Sequence, residues 1–472
     1  MNQPFRGCCQ SLLPLLLVNT SISMSQSTAI PEEPHDHHAI ARRIADAALS
    51  SGRSHEMLRE LCTTIGHRLS GSPQAVQAVE WGRRVMVESG LERVHLQPVL
   101  VPHWERGAAE RVVLTANGIQ TPLHALALGG SVATPAGGIA AEVIEVKGIA
   151  EVAGLGERAR GKIIFFNRPM DPTLVNTFDA YSGAVDQRVH GPVAAARVGA
   201  IGVVVRSMTT ALDTFPHTGM LRYNDSIAQI PAVAISTADA EWLSSTVRQH
   251  PAAQLSIQTD CRTLPDAESH NVIGQLTGTE KPEEVVVIGG HLDSWDVGEG
   301  AHDDGAGCVQ AIEALRLLKV LGLRPKRTIR AVLWMNEENG MRGGIAYADS
   351  VGKHGPKHIA AIESDRGGFA PRGFYIEADM PTVERVARWS GYFRIMGAER
   401  FIHGGGGADI GPLKAHGTLN IGLNVESHRY FDYHHAASDT FQQVNRRELE
   451  LGAAAMALLA WLIAEEGVEW ER

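Results

Sequence analysis

Acid and imidazole recur in this chain where apolar runs end. The run "EVVVIGG" leads directly into "HLDSWDVGEGAHDDGAG", His291 to Gly307, which holds two histidines and five acids. "TIRAVLWM" leads into "NEENG" with Glu337 and Glu338, "HIAAIES" into Asp365, and "LNIGLNVESHRYFDY" into His434 and His435. Carboxylates crowded at a buried edge repel one another and are poorly solvated, and cations remove that penalty. Oxygen and imidazole donors without thiolate suit Zn²⁺, Mn²⁺ or Co²⁺, with zinc the usual hydrolytic choice. Two such ions roughly 3.5–4 Å apart, bridged by a carboxylate and a water, make a hydrolytic site. The pair Glu337–Glu338 can divide the remaining work, one as ligand and the other as general base. Singly, Asp303 and Asp304 read as well as caps of the next helix. Repetition at four strand ends is what points to metal.

The elements that must position these residues are legible in the periodicity. From Asn271 onward, near-continuous apolar strands alternate with helices, which predicts an α/β fold: a mixed, mainly parallel sheet sandwiched by helices. In open sheets of this kind, ligands bind beyond the carboxyl ends of the strands. The helix from Ala306 to Leu321 places Cys308, Ile312, Leu315 and Leu318 on one face. Upstream, Ile40 and Ile44 mark an amphipathic helix, "SHEMLRELCTTIG" a second, and the stretch ending near Ser89 a third. "LERVHLQPVLVPHW" predicts a strand. Between about Val112 and Cys261, short β-rich runs alternate with Gly and Pro around a single helical stretch, "GPVAAARVGA". That segment carries no His/Asp/Glu cluster and is expected to hold no chemistry of its own. Arg68 in the turn "HRLSGSPQ" is expected to make a loop salt bridge, and His35, His37 and His38 to be solvated.

Bulk properties narrow the class. The net charge of -10 disfavours a polyanion partner, and 44% hydrophobic with 20% charged residues is ordinary for a globular chain. Five cysteines without CxxC spacing exclude a disulfide scaffold. There is no GxSxG, and Cys308 lies on a core face, so nucleophilic catalysis is the weaker reading. The glycine run "HGGGGADI" lacks the phosphate-loop pattern and reads as backbone lining a pocket. "GAAAMALLAWLIA" is too short to span a bilayer and predicts a buried last helix. "MNQPFRGCCQSLLPLLLVNTSIS" resembles a weak secretory signal, although a chain starting at Met24 reads equally well. Export to a secreted or periplasmic location is expected with the signal, and a cytoplasmic location without it.

The order HxD, DDGxG, EE, Asp and a late His before "DT" resembles the zinc-dependent exopeptidases of the M28 family. "GGHLDSWDVGEGAHDDGAG", "LRPKRTIRAVLWMNEENG" and "VPHWERG" are similar to its carboxypeptidase Q-like (plasma glutamate carboxypeptidase-like) subgroup. The resemblance implies a zinc-peptidase domain split between 36–111 and 262–472. It implies an inserted protease-associated domain at 112–261, with 1–35 signal-like or disordered. "GKIIFFNRP", "AAARVGAIGVVV" and "IPAVAIS" resemble strands of that inserted domain. It further implies two zinc ions per subunit, His291 and Asp365 on one, Glu338 and His435 on the other, and Asp303 bridging. Glu337 would be the base, and Asp293 would orient His291. Tyr433 or His434 would hold the oxyanion, and Asp409 matches a substrate-pocket segment. Small peptides, dipeptides above all, are the implied substrates, cleaved by carboxypeptidase, dipeptidase or aminopeptidase action, and a homodimer is implied. A zinc-dependent amidase or cyclase on the same fold, or a non-catalytic receptor-like module, are the competing readings.

Overall fold

The apolar runs form the middle of an eight-stranded sheet. Its strands lie in the order Glu92–Glu105, Arg262–Leu276, Arg327–Trp334, Lys281–His291, Lys357–Glu363, Leu419–Val425, Pro371–Glu377 and Arg400–His403. The four central strands run parallel. Antiparallel pairs bring in Glu92–Glu105, Arg262–Leu276 and Pro371–Glu377, and Arg400–His403 pairs parallel to the last of these. This is a computed structural model, and it describes residues 36–352 and 355–469. The signal-like segment, Cys8, Cys9 and His35 lie outside the described residues.

Burial on both faces explains why the central strands are apolar without alternation. Val285 to Ile288 are all fully buried. Val286 and Ile288 join a cluster with Val309, Ile312 and Leu458, whereas Val285 and Val287 join Trp334, Tyr347 and Ala348 on the opposite face. The period of two along the strand makes that division. The helices Ala306–Val320 and Arg446–Glu466 cover the first face, and Arg342–Ser350 covers the second. The run "GAAAMALLAWLIA" is indeed buried, within Arg446–Glu466. Among the described residues no helix is long and apolar enough to cross a membrane.

A second eight-stranded sheet is built from Ile119–Leu123, Arg111–Ala116, Gln254–Gln258, Ile139–Val146, Ile163–Phe166, Gly202–Arg206, Ala232–Ile235 and Ala125–Ala127, in that order. It closes its own core around Val112, Phe165, Val204 and Leu255. The paired strands Glu92–Glu105 and Arg262–Leu276 carry the chain into and out of it. One helix was expected here, and Gly191–Arg197 is present, but so are Thr237–Gln249 and the shorter Thr177–Ser182 and Asp186–Val189. The longest of these starts at Ser236, whose hydroxyl accepts the Asp239 N–H, and buries only Ala240, Leu243 and a few small polar residues. So polar a sequence hid its narrow apolar stripe.

Two expectations about single side chains are corrected. Arg68 makes no salt bridge among the described residues: fully buried, it donates to the carbonyls of Leu292, Gly66, Glu299 and Gly300, and so holds the loop that follows His291. His37 is half-buried and meets the Glu466 carboxylate at 3.1 Å. His38 is exposed, as expected, and lies edge-on to Tyr392.

Candidate active site

Because the four central strands are parallel, their carboxyl ends share one edge. His291 is the last residue of Lys281–His291. Glu337 and Glu338 lie just past Arg327–Trp334, and Asp365 just past Lys357–Glu363. His434 and His435 follow the short turn Ser427–Asp432, which follows Leu419–Val425. Asp303 sits in the turn Ala301–Gly305 that opens the helix Ala306–Val320.

The side chains converge. Asp303 turns one oxygen to His291 Nε2 at 3.2 Å and the other to His435 Nε2 at 3.3 Å. Asp365 approaches His291 Nε2 at 3.6 Å, and Glu338 approaches His435 Nε2 at 3.0 Å. Two donor groups can each hold an ion, one formed by His291, Asp303 and Asp365 and the other by Asp303, His434 and His435. Of the two adjacent histidines, His435 makes the closer approaches, because His434 Nε2 stands 3.9 Å from Asp303. The His435 backbone is left-handed, φ 61°, an uncommon state for a side-chain-bearing residue that turns its ring inward.

The supporting contacts fix tautomers and loops. His291 Nδ1 faces the Asp293 main-chain carbonyl at 2.9 Å, leaving Nε2 free for a ligand. The Asp293 carboxylate, expected to orient that imidazole, lies 3.9 Å from it and instead accepts the N–H groups of Asn336, Glu337 and Glu338. It therefore shapes the turn carrying the two glutamates. Asp304 accepts the N–H of His291 and of Gly307, joining strand end to helix start. Asp439 accepts the N–H of His302 and Asp303. Asp296, without a role in the sequence reading, chelates Arg106 of "VPHWERG", and Glu299 accepts the N–H of Phe441.

The electrostatics call for cations. Asp303, Asp304, Glu337, Glu338 and Asp365 form no ion pair with Lys or Arg among the described residues. Burial pushes the Glu337 carboxyl up to about 8, and the negative Asp365 and Asp303 add to it. Burial, then Asp303, lifts Glu338 well above the carboxylate range. Asp303 Oδ2 and Glu338 Oε1 are buried without a hydrogen-bond partner. An orphaned Asp303 oxygen facing His435 Nε2, with a second orphaned oxygen on Glu338, fits divalent metal, and the oxygen–nitrogen donor set fits zinc.

Of the remaining expected site residues, His434 lines a cleft of about 580 Å³ together with Asp303, Glu337, Glu338 and Asp365. Tyr433 does not. Its ring stacks on His302 and its hydroxyl meets Arg429, on the far side of the turn. Tyr430 lines the cleft instead, and its hydroxyl points at Asp365 from 3.5 Å. Burial and the nearby acids keep that phenol protonated. Asp409 is buried beneath the site with both oxygens unpartnered, and burial together with Glu363 raises its carboxyl far above the usual range. The glycine run lines a side pocket of about 310 Å³ with Asp365 and Arg366.

The segment that builds the second sheet also reaches the site, through short helices and a loop, contrary to the expectation of a segment without chemistry. Tyr181, Arg188 and Met220 line the cleft. Residues His217 and Thr218 pair with the ligand segment as a short antiparallel bridge: Thr218 N–H donates to the His435 carbonyl, and the Thr218 carbonyl faces His435 Nδ1 at 3.3 Å. Nothing local in the sequence announces a contact over some 217 positions.

Comparison with known proteins gives the family. Residues 271–460 match the model of peptidase family M28. Carboxypeptidase Q of Mus musculus is 35% identical over 94% of this chain and 93% of its own length, and that of Homo sapiens is 34% identical over 95% and 94%. The crystal structure of a peptidase M28 precursor from Shewanella amazonensis superposes with a TM-score of 0.88 at 33% identity, covering 92% of this chain and 98% of that one. A zinc aminopeptidase of Bacillus subtilis shares the fold at 19% identity, TM-score 0.63, over 88% and 96%. The chain belongs to peptidase family M28 and is a zinc-dependent exopeptidase.

Proposed function

We propose that this enzyme hydrolyses short peptides, dipeptides above all, with two zinc ions per chain. His291 and Asp365 hold one ion, Glu338 and His435 the other, and Asp303 bridges them. The observation that carries this reading is the Asp303 carboxylate, whose two oxygens face His291 and His435 at 3.2 and 3.3 Å. When bound, the zinc pair supplies a polarised carbonyl and a more acidic water. Glu337, at the cleft and free of any ion pair, takes the proton of the attacking water on its carboxylate and returns it to the leaving amine. Tyr430 donates its hydroxyl hydrogen to the oxygen on which negative charge develops. Asp293 keeps Glu337 and Glu338 in register by gathering their N–H groups. The same reading makes 112–261 an inserted protease-associated-type domain, the N-terminal segment an export signal, and the enzyme a homodimer.

Zinc counting by plasma emission spectroscopy is expected to give two ions per chain. Glu337→Gln is expected to keep both while losing roughly 10²–10⁴-fold in kcat. One ion per chain, or a metal-replete Glu337→Gln with near-normal turnover, refutes the assignment.

A further inference from the structure

The cleft has two unlike walls. One carries Asp303, Glu337, Glu338 and Asp365, and the other, from the short helices Thr177–Ser182 and Asp186–Val189, carries Tyr181 and Arg188. Arg188 is only 6% exposed, yet it forms no ion pair among the described residues. Its Nη1 donates to the Thr218 carbonyl at 3.3 Å and its Nη2 to the Tyr181 hydroxyl at 2.7 Å, while Nε is buried with no partner. A guanidinium has five N–H donors in a planar fork, so most of its capacity is unspent. A buried cation left unpaired is unfavourable, and an arriving anion relieves it.

We propose that Arg188 is the carboxylate receptor of this cleft. It takes the free C-terminal carboxylate of a short peptide and so sets cleavage at the C-terminal residue. The proposal rests on the zinc-exopeptidase reading above. The reach suits it. The Thr218 carbonyl accepts from Arg188 and faces His435 Nδ1, each at 3.3 Å, so the guanidinium stands one shared acceptor away from the imidazole that faces Asp303. A terminal carboxylate lies about one residue spacing, ~3.8 Å, beyond the scissile carbonyl. The opposite direction of attack needs an uncommitted acid for a substrate ammonium, and the side pocket offers none. Glu363 there accepts the N–H groups of Ala408 and Ile410, and Glu377 pairs with Lys414. Of the competing cations, Arg222 lines the same cleft but is exposed, and the others are engaged elsewhere or outlying. Arg342 pairs with Asp266, Arg429 with Asp432, and Arg366 lies between the rings of Phe178 and Tyr375.

The test compares kcat/KM of the zinc-loaded full chain on alanyl-alanine and on its C-terminal amide, for the native protein and for Arg188→Met, Arg188→Lys and Arg366→Met. The native enzyme is expected to favour the acid by about 10²-fold or more, because the amide leaves the receptor unpaired. Arg188→Met brings the ratio to within about threefold of unity, mainly through KM on the acid. Arg188→Lys, which keeps the charge but not the fork, falls between. Zinc content stays at the native value in all three variants. Three results overturn the proposal: a native enzyme indifferent to amidation, a ratio that survives in Arg188→Met or moves in Arg366→Met instead, or equal kcat losses on acid and amide. Absence of zinc-dependent hydrolysis of either substrate by the native chain refutes the underlying reading instead.

Discussion

Gly219→Ala tests whether the second sheet holds the metal site or merely covers it. Gly219 follows the bridge residue Thr218 and adopts φ +135°, a backbone state that side chains rarely occupy. An added Cβ would stand 2.8 Å from His435 Nδ1 and still closer to the Arg188 guanidinium. Ordinary contact begins near 3.4 Å, so the imidazole must retreat by about 0.6 Å unless Arg188 and the backbone yield first. Retreat is obstructed. His434 stacks on the His435 ring at 3.5 Å, and Trp295 lies against it at 5.6 Å. Metal–ligand distances tolerate about 0.2 Å, so the site bearing Glu338 and His435 suffers while that bearing His291 and Asp365 does not. The backbone strain contributes about 1–3 kcal/mol of destabilisation. Displacing a ligand's support weakens metal binding by roughly 10–100-fold. The assay is zinc occupancy across a series of buffered free-zinc concentrations, with thermal melting in parallel. One zinc is expected to titrate as in the native protein and the other at higher concentration, with a melting temperature lower by a few degrees. Two ions binding with native affinity would refute the claim that this bridge positions His435.

Two other perturbations separate the roles assigned above. Tyr430→Phe is expected to lower kcat by about 10²-fold with zinc content unchanged, whereas Tyr433→Phe, whose hydroxyl faces away from the cleft, stays within about threefold; reversed effects in stopped-time assays would restore Tyr433 as the donor. Metal-free protein is expected to melt at lower temperature as pH rises from about 5 to 8. Burial holds Glu337 near 8 and Asp439 near 7, above the ~4 of unfolded carboxylates, so the folded chain binds more protons across this window and loses stability as they leave. Zinc, which binds the ionised forms, should flatten or invert that slope, and a metal-free melting temperature that climbs with pH would contradict it.

The parts of the site that ride on regular elements were legible, because periodicity alone places His291, Glu337, Glu338 and Asp365 at the ends of strands that must be parallel. The tyrosine that lines the cleft was not. Tyr433 adjoins His434 in sequence, but the chain coils through Ser427–Asp432, and the N–H of His434 bonds to the Tyr430 carbonyl. Residues four apart then share a face, and adjacent ones do not. That rule, applied to "YFDYHH", would have selected Tyr430. The hydrogen bonds of the Asp293 carboxylate were not legible either, because proximity in sequence to His291 says nothing about the N–H groups of a turn more than forty positions away. Arg188 and Thr218 were out of reach altogether. They act from a short helix and a loop that meet the His435 segment some 217 positions away, and no local spacing encodes that.

The distribution of arginine explains why acids can be massed here without losing the metals. A guanidinium within ion-pair range of Asp303 or Glu338 would neutralise the carboxylates permanently and compete with any divalent ion. The nearest buried cation on the acidic side, Arg68, donates to main-chain carbonyls instead, which fixes the loop without discharging the site. The buried cation of the cleft, Arg188, stands on the opposite wall and spends its bonds on a carbonyl and a phenol. Charge balance is thereby divided in space: the acids are left for metal, and the cleft's cation is left for an anionic substrate terminus. Neither half does this alone. The ends of the first sheet's strands and the loops beyond them supply the carboxylates, and a short helix and a loop of the segment that builds the second sheet supply the cation and the carbonyl that faces His435, so the site's electrostatics require both parts.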